Sequence, residues 1–255
     1  MARRNSAHGM HKTVRLLATG LAALILCGGM VLLFVQKERA AANAAGEPTA
    51  EPIAPTPAPR FTVVIDPGHG LPDGGATGMD TGIAEEGINL NYATALRDEL
   101  SALNIAAVLT REDENALNAD KKKDMAARRD IINSAGAAAV ISIHMNKFSD
   151  TSVHGAETFY YEPSVESRQL AECIQISLKN ELDSTNTRTI KGVTNLFVLK
   201  TSKAPSVLIE CGYISNPTEE AKLNTPSYQR RIAFSVCCGI LSYYNNQNPV
   251  QSTAG

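Results

Sequence analysis

Tryptophan is absent from the 255-residue chain, and aromatic residues make up only 5% of it. The five cysteines (27, 173, 211, 237 and 238) are odd in number and form no C-x-x-C pair. This excludes a disulfide framework and a cysteine-type zinc site. No internal repeat appears. A cationic excess is lacking too, since the formal net charge is −2. That charge is split unevenly: residues 1–60 hold seven Lys/Arg against three acids, and the remainder holds 17 against 23. An acidic body argues against nucleic acid as a partner, because tracking phosphates needs a cationic face. The charged fraction of 20% is close to the globular norm of about 25%, which rules out wholesale disorder.

What is present first is a leader. Residues 16–35, LLATGLAALILCGGMVLLFV, carry no charge and are long enough as a helix to cross the hydrocarbon core. Arg3, Arg4, Lys12 and Arg15 precede the run, so the positive-inside bias puts the N-terminus in the cytoplasm and the body outside. A cleaved signal peptide is the rival, with a shorter apolar region as its usual form. The expected organisation is a basic segment at 1–15, a transmembrane anchor or signal segment at 16–35, and a Pro/Ala-rich linker at 36–60. A folded domain follows at 61–244 and a disordered tail at 245–255. The expected location is the cell membrane, single-pass with the domain outside, or secretion if the leader is cleaved.

Within the body, apolar β-rich runs recur at 61–65, 105–109, 138–143, 156–161, 195–199 and 206–210. Helical periods lie between them. Ile88, Tyr92, Leu96, Leu100 and Leu103 repeat at i+4 and i+3, and further helices are predicted over 124–135, 165–182 and 226–244. Six strands with intervening helices predict an α/β fold: a single mostly parallel or mixed six-stranded sheet flanked by helices.

The chemistry-bearing residues stand at strand ends. FTVVI runs into DPGHG and places His69 just past the first strand; AAVISI runs into His144; SVLI runs into Glu210. In open parallel α/β sheets the functional crevice lies at those carboxyl ends. Two histidines and a carboxylate converging there suit a catalytic zinc site with one position left for water. A lone His after a strand is more often structural, so the constellation outweighs its members. A charged Glu after a buried run needs a partner, and a cation or a metal-bound water supplies one.

Seven motifs run through the body in order: VVIDPGHG at 63–70, EEGINL at 85–90, LTR at 109–111, RRDIIN at 128–133, SIHMN at 142–146, ETFYY at 157–161 and VLIECGYISN at 207–216. With these motifs the chain resembles the zinc-dependent N-acetylmuramoyl-L-alanine amidases over about residues 61–244. The resemblance implies zinc held by His69, Glu85 and His144, with Glu85 rather than Glu86 as the carboxylate ligand and Glu210 as the catalytic carboxylate. It implies peptidoglycan as substrate, cleaved at the amide between N-acetylmuramic acid and L-alanine. The architecture also fits single-domain amidases of the germination-specific type.

Other matched positions carry lesser expectations. Asp66 is expected to orient a ligand His or shape its turn, and Arg111 and Arg128 to brace loops. Asn146 is expected to touch substrate, fix His144 or face solvent. Met145, where the family commonly has Ala, is expected to narrow the site. Lys200 stands where the family leads one to expect Arg, which puts a substrate-anion clamp there in doubt, and His154 falls outside the family's metal set. Two alternatives stay open: another zinc peptidoglycan hydrolase (a peptidase or deacetylase), or an inactive wall-binding scaffold. An activating protein partner also stays open.

Overall fold

In a computed structural model, residues 58–248 are described. They form one six-stranded sheet in the order β2-β1-β3-β6-β4-β5. The strands are β1 Thr62–Pro67, β2 Ala106–Leu109, β3 Ala139–Asn146, β4 Glu157–Tyr161, β5 Lys191–Val193 and β6 Ser206–Tyr213. All pairs are parallel except β4 against β6. The sheet is therefore mixed.

Among the described residues six α-helices flank it: α1 Glu85–Ala102, α2 Lys121–Ser134, α3 Val165–Ser177, α4 Phe197–Thr201, α5 Pro217–Leu223 and α6 Pro226–Gln247. A π-helical turn, Leu178–Leu182, extends α3. Strand alternation decides which helix goes where. Val63, Ile65, Ile141, Ile143, Val207 and Ile209 point to one face, where they meet Leu96 of α1, Ile174 of α3 and Val236 of α6 in the main core. Val64 and Val140 point to the other face and meet Ile132 of α2 and Val198 of α4. With apolar residues on both faces, β1 and β3 lack a polar alternation and read as continuous apolar runs.

Helix starts follow local chemistry. Asp120, Ser164, Asn216 and Thr225 each accept a hydrogen bond from a backbone N–H of the first turn of α2, α3, α5 and α6. Pro217 and Pro226 open α5 and α6, where the missing N–H costs nothing.

Four expectations are corrected. The run 195–199 is not a strand: Lys200 N–H bonds the Leu196 carbonyl and Phe197–Thr201 coils as α4, burying the adjacent pair Val198 and Leu199. The edge strand is the exposed Lys191–Val193 instead, too polar for a hydrophobic-run criterion. Helix α5 was not foreseen, and α6 runs on to Gln247, so the tail does not start at 245. The expectation of a single-pass membrane protein is overturned: among the described residues no helix is long and apolar enough to cross a membrane. The segments 1–15 and 16–35, most of the 36–60 linker and the tail from 249 lie outside the described residues.

Candidate active site

His69 sits in the loop beyond β1, His144 near the end of β3, Glu210 on β6 in register with His144, and Glu85 in the first turn of α1. Side-chain ligand atoms of His69, Glu85 and His144 all lie within 4.8 Å of one another. The two imidazoles meet edge to face with centroids 5.0 Å apart. Glu85 stands between them: its Oε1 lies 3.0 Å from His144 Nδ1 and its Oε2 lies 3.4 Å from His69 Nε2. A carboxylate flanked by two ring nitrogens calls for a shared positive charge, a proton or a metal ion.

The backbone makes room for this approach at two glycines. A Cβ on Gly68 would lie 2.2 Å from His144 Cε1, and one on Gly75 would lie 2.6 Å from Glu85 Oε2. Gly75 also has φ +70°, a conformation L side chains rarely adopt. His69 itself has φ +61°, strained for a residue with a Cβ.

The strain is held by two buried arginines. Arg128 donates to Asp66 Oδ1 (2.8 Å), the Pro67 carbonyl (2.7 Å), the His69 carbonyl and Asp124 Oδ2 (2.9 Å). Arg111 donates to the carbonyls of Pro67 (3.0 Å), Gly68 (2.9 Å) and Glu86 (2.8 Å). Three successive carbonyls of the DPGHG turn thus end on guanidinium groups. Asp66 completes the network by accepting from Thr110 and Ser142 hydroxyls. Burial would raise its pKa, but Arg128 and the two hydroxyls outweigh that and lower it.

Asp66 therefore shapes the turn and does not orient a histidine. That part falls to Asp73, whose Oδ1 lies 3.2 Å from His69 Nδ1 and whose Oδ2 accepts from Lys121 Nζ at 2.6 Å. The spacing H-x-x-x-D was the available signal. Asn89 joins the site with no local sequence signal: its Nδ2 donates to Glu85 Oε1 (3.1 Å) and to the Gly68 carbonyl (3.2 Å), tying helix to turn. Met145 does not narrow the site. Its side chain is buried in the main core, and its N–H donates to Glu85 Oε1 at 3.0 Å. Asn146 Oδ1 accepts from Lys147 N–H and leaves His144 alone. His154 and Lys200 are exposed and outside the cluster.

Electrostatics separate the two carboxylates. For Glu85, burial would raise the pKa, yet the hydrogen bond and charge of His144, with His69 and the Ala76 N–H, bring it down to about 2. Glu210 is pushed up to about 7 by burial, then by the charges of Glu85 and Glu157, against the pull of His144. Its Oε2 is sealed from solvent with no hydrogen-bond partner. Glu157, in the motif ETFYY but given no role by the sequence, lies directly across from Glu210 on β4 and takes Lys191 Nζ at 3.0 Å. A cavity of about 170 Å³ opens beside the imidazoles, with Lys121, Met125, Phe197 and Leu208 in its wall.

An α/β sheet that brings two imidazoles and a carboxylate of lowered pKa together beside a second carboxylate of raised pKa has an arrangement suited to hydrolysis. The chain belongs to the N-acetylmuramoyl-L-alanine amidase family, whose pattern matches residues 63–242, and it is an enzyme of that activity acting on peptidoglycan. The germination-specific N-acetylmuramoyl-L-alanine amidase of Bacillus subtilis is 33% identical over 87% of this chain and 94% of its own length. The amidase LytC of the same organism is 36% identical over 72% of this chain and 35% of its own. Among solved structures, the CwlD amidase from Clostridioides difficile in complex with the GerS lipoprotein superposes with a TM-score of 0.70 at 35% identity. That match covers 73% of this chain and 99% of CwlD.

Proposed function

We propose that the chain is a zinc-dependent amidase that uses Glu210 as general base and acts on the spore wall during germination. The observation that carries the zinc is the convergence of His69, Glu85 and His144, an N/N/O donor set of the kind zinc favours. Zinc held there supplies Lewis acidity and lowers the pKa of water toward about 7. The chain's own residues do the rest. Asp73 accepts from His69 Nδ1 and so presents Nε2 toward Glu85. The carboxylate of the partly exposed Glu210 accepts the proton of the attacking water, and its raised pKa lets it hand that proton to the departing amine of L-alanine. The cavity beside the imidazoles receives part of the substrate, its apolar wall of Met125, Phe197 and Leu208 excluding water there.

The germination role rests on similarity to the Bacillus subtilis relative along nearly the whole length of both chains. A protein partner belongs to the same reading, because the CwlD relative was solved with a lipoprotein. The test is digestion of purified peptidoglycan with and without a chelator, with products identified by mass spectrometry. Stem peptides with a free L-alanine amine, lost on chelation and restored by zinc, are the expected result. Cleavage elsewhere in the stem, or release of acetate, would mean a peptidase or deacetylase. No products even with zinc and a partner would mean a scaffold.

A further inference from the structure

Helix α5 carries two consecutive buried carboxylates, Glu219 and Glu220, neither of them in the His69–Glu85–His144 cluster. They serve opposite sides of the site. Glu219 accepts from Gly155 N–H at 3.1 Å and from Tyr213 N–H at 2.8 Å. Gly155 leads into β4 and Tyr213 ends β6, so Glu219 stitches together the two strands that bear Glu157 and Glu210.

Glu220 reaches the other way. It accepts from Asp80 N–H (3.0 Å), Thr81 N–H (2.9 Å) and the Thr81 hydroxyl (2.5 Å). These residues form the tip of a hairpin-like loop that ends on Glu85. At its base, Glu85 N–H donates to the Ala76 carbonyl (2.9 Å) while Ala76 N–H donates to Glu85 Oε2 (2.8 Å). Gly78 N–H to the Ile83 carbonyl, at 3.0 Å, closes the middle. Gly78 lies so tightly on Glu220 that a Cβ there would sit 2.1 Å from its Oε1. One carboxylate thus clamps the tip of a loop whose base holds the Glu85 side chain.

We propose that Glu220 is a positioning residue for the metal centre: by clamping Asp80 and Thr81 it fixes the loop that presents Glu85, and so sets the affinity of the cluster for zinc. The inference rests on reading His69, Glu85 and His144 as metal ligands. Its physical basis is preorganisation. A loop already ordered before binding loses little further entropy when the ion arrives, whereas a loosened loop must be ordered at the expense of affinity. Glu219 is the internal control. It lies in the same helix turn and is buried too, but its bonds go to β4 and β6, away from Glu85.

The experiment titrates zinc, against a competing chelating indicator, into the metal-free full chain and its Glu220→Ala, Glu220→Gln and Glu219→Ala variants. Urea unfolding of each metal-free protein runs in parallel. Glu220→Ala is expected to raise the zinc Kd by about 10–100-fold, the usual cost of losing an outer-shell support. Glu220→Gln is expected to recover part of this, because its carboxamide oxygen still accepts from Thr81. Glu219→Ala is expected to lose stability while keeping wild-type zinc affinity. Unchanged zinc affinity in Glu220→Ala, or an equal loss in Glu219→Ala, would overturn the inference. Should Glu220→Ala fail to fold, Thr81→Ala removes the hydroxyl donor from the loop side. A severalfold weaker Kd supports the clamp, and an unchanged one refutes it. The parent reading fails separately: either the wild-type chain binds no zinc, or His69→Ala binds it equally well.

Discussion

Asp73 Oδ1 lies 3.2 Å from His69 Nδ1, on the ring edge away from the Nε2 that faces Glu85. The carboxylate fixes which nitrogen carries the proton and leaves the other lone pair for a metal. Lys121 holds Asp73 in turn, and Asp73 is brought down to about 2: burial opposes this, while hydrogen bonds from Lys121 and His69 outweigh it. Asp73→Ala is therefore expected to weaken zinc binding by about 10–100-fold with the fold intact. Competition titration of zinc checks it, and circular dichroism monitors the fold.

Arg128 is expected to be the most costly polar side chain to shorten. Lysine at this position has no planar fork to serve Asp66, Asp124 and the carbonyls of Pro67 and His69 together. Asp66 would be left buried and underpaired. Arg128→Lys should lower the stability of the metal-free chain by about 1–3 kcal/mol, read from urea unfolding midpoints.

Gly68 leaves no room for a side chain. A methyl group there would sit 2.2 Å from His144 Cε1 and 2.3 Å from Nε2, so the ring must leave its place. Gly68→Ala is expected to abolish stoichiometric zinc binding, measured by metal analysis after dialysis, while the far side of the sheet stays folded.

Glu210 gives the chain a pH dependence of defined sign. Its folded pKa, about 7, stands above the ordinary 4.5. Between those values the folded state keeps a proton that the unfolded chain has released, so stability falls as pH rises through that window. The shift corresponds to about 3 kcal/mol. In chelator, Glu210→Gln should match the wild type near pH 4 and exceed it in melting temperature above pH 8. Parallel melting curves across that range check it. A constant gap would mean that Glu210 titrates at its ordinary value.

The parts of the fold that a run of residues dictates were legible. β1, β3 and β6 read as strands because both their faces are buried, and α1 read as a helix because Ile88, Tyr92, Leu96 and Leu100 face one core. The parts set by a tertiary partner were not. Lys191–Val193 is a strand because Phe159, Tyr160 and Tyr161 pair with it, whereas Leu196–Leu199 turns into α4 where Val198 fills the second core. At the site, His69, Glu85, His144 and Glu210 stood out by residue type and motif. The support was hidden because it depends on direction. Asp66 lies on the same sheet face as Ser142 and meets Arg128, while the positive φ of His69 accompanies a ring that meets Asp73. Asn89 and Glu220 act across 21 and 139 residues of sequence, beyond any local pattern.

The most direct test of the account is one preparation of Glu210→Gln, in which bound zinc and the release of stem peptides from purified peptidoglycan are measured together. Zinc is expected to stay bound at the wild-type ratio with turnover abolished, because the ligand set is intact and the proton carrier is gone. A variant that retains zinc and still releases peptides with a free L-alanine amine would contradict it.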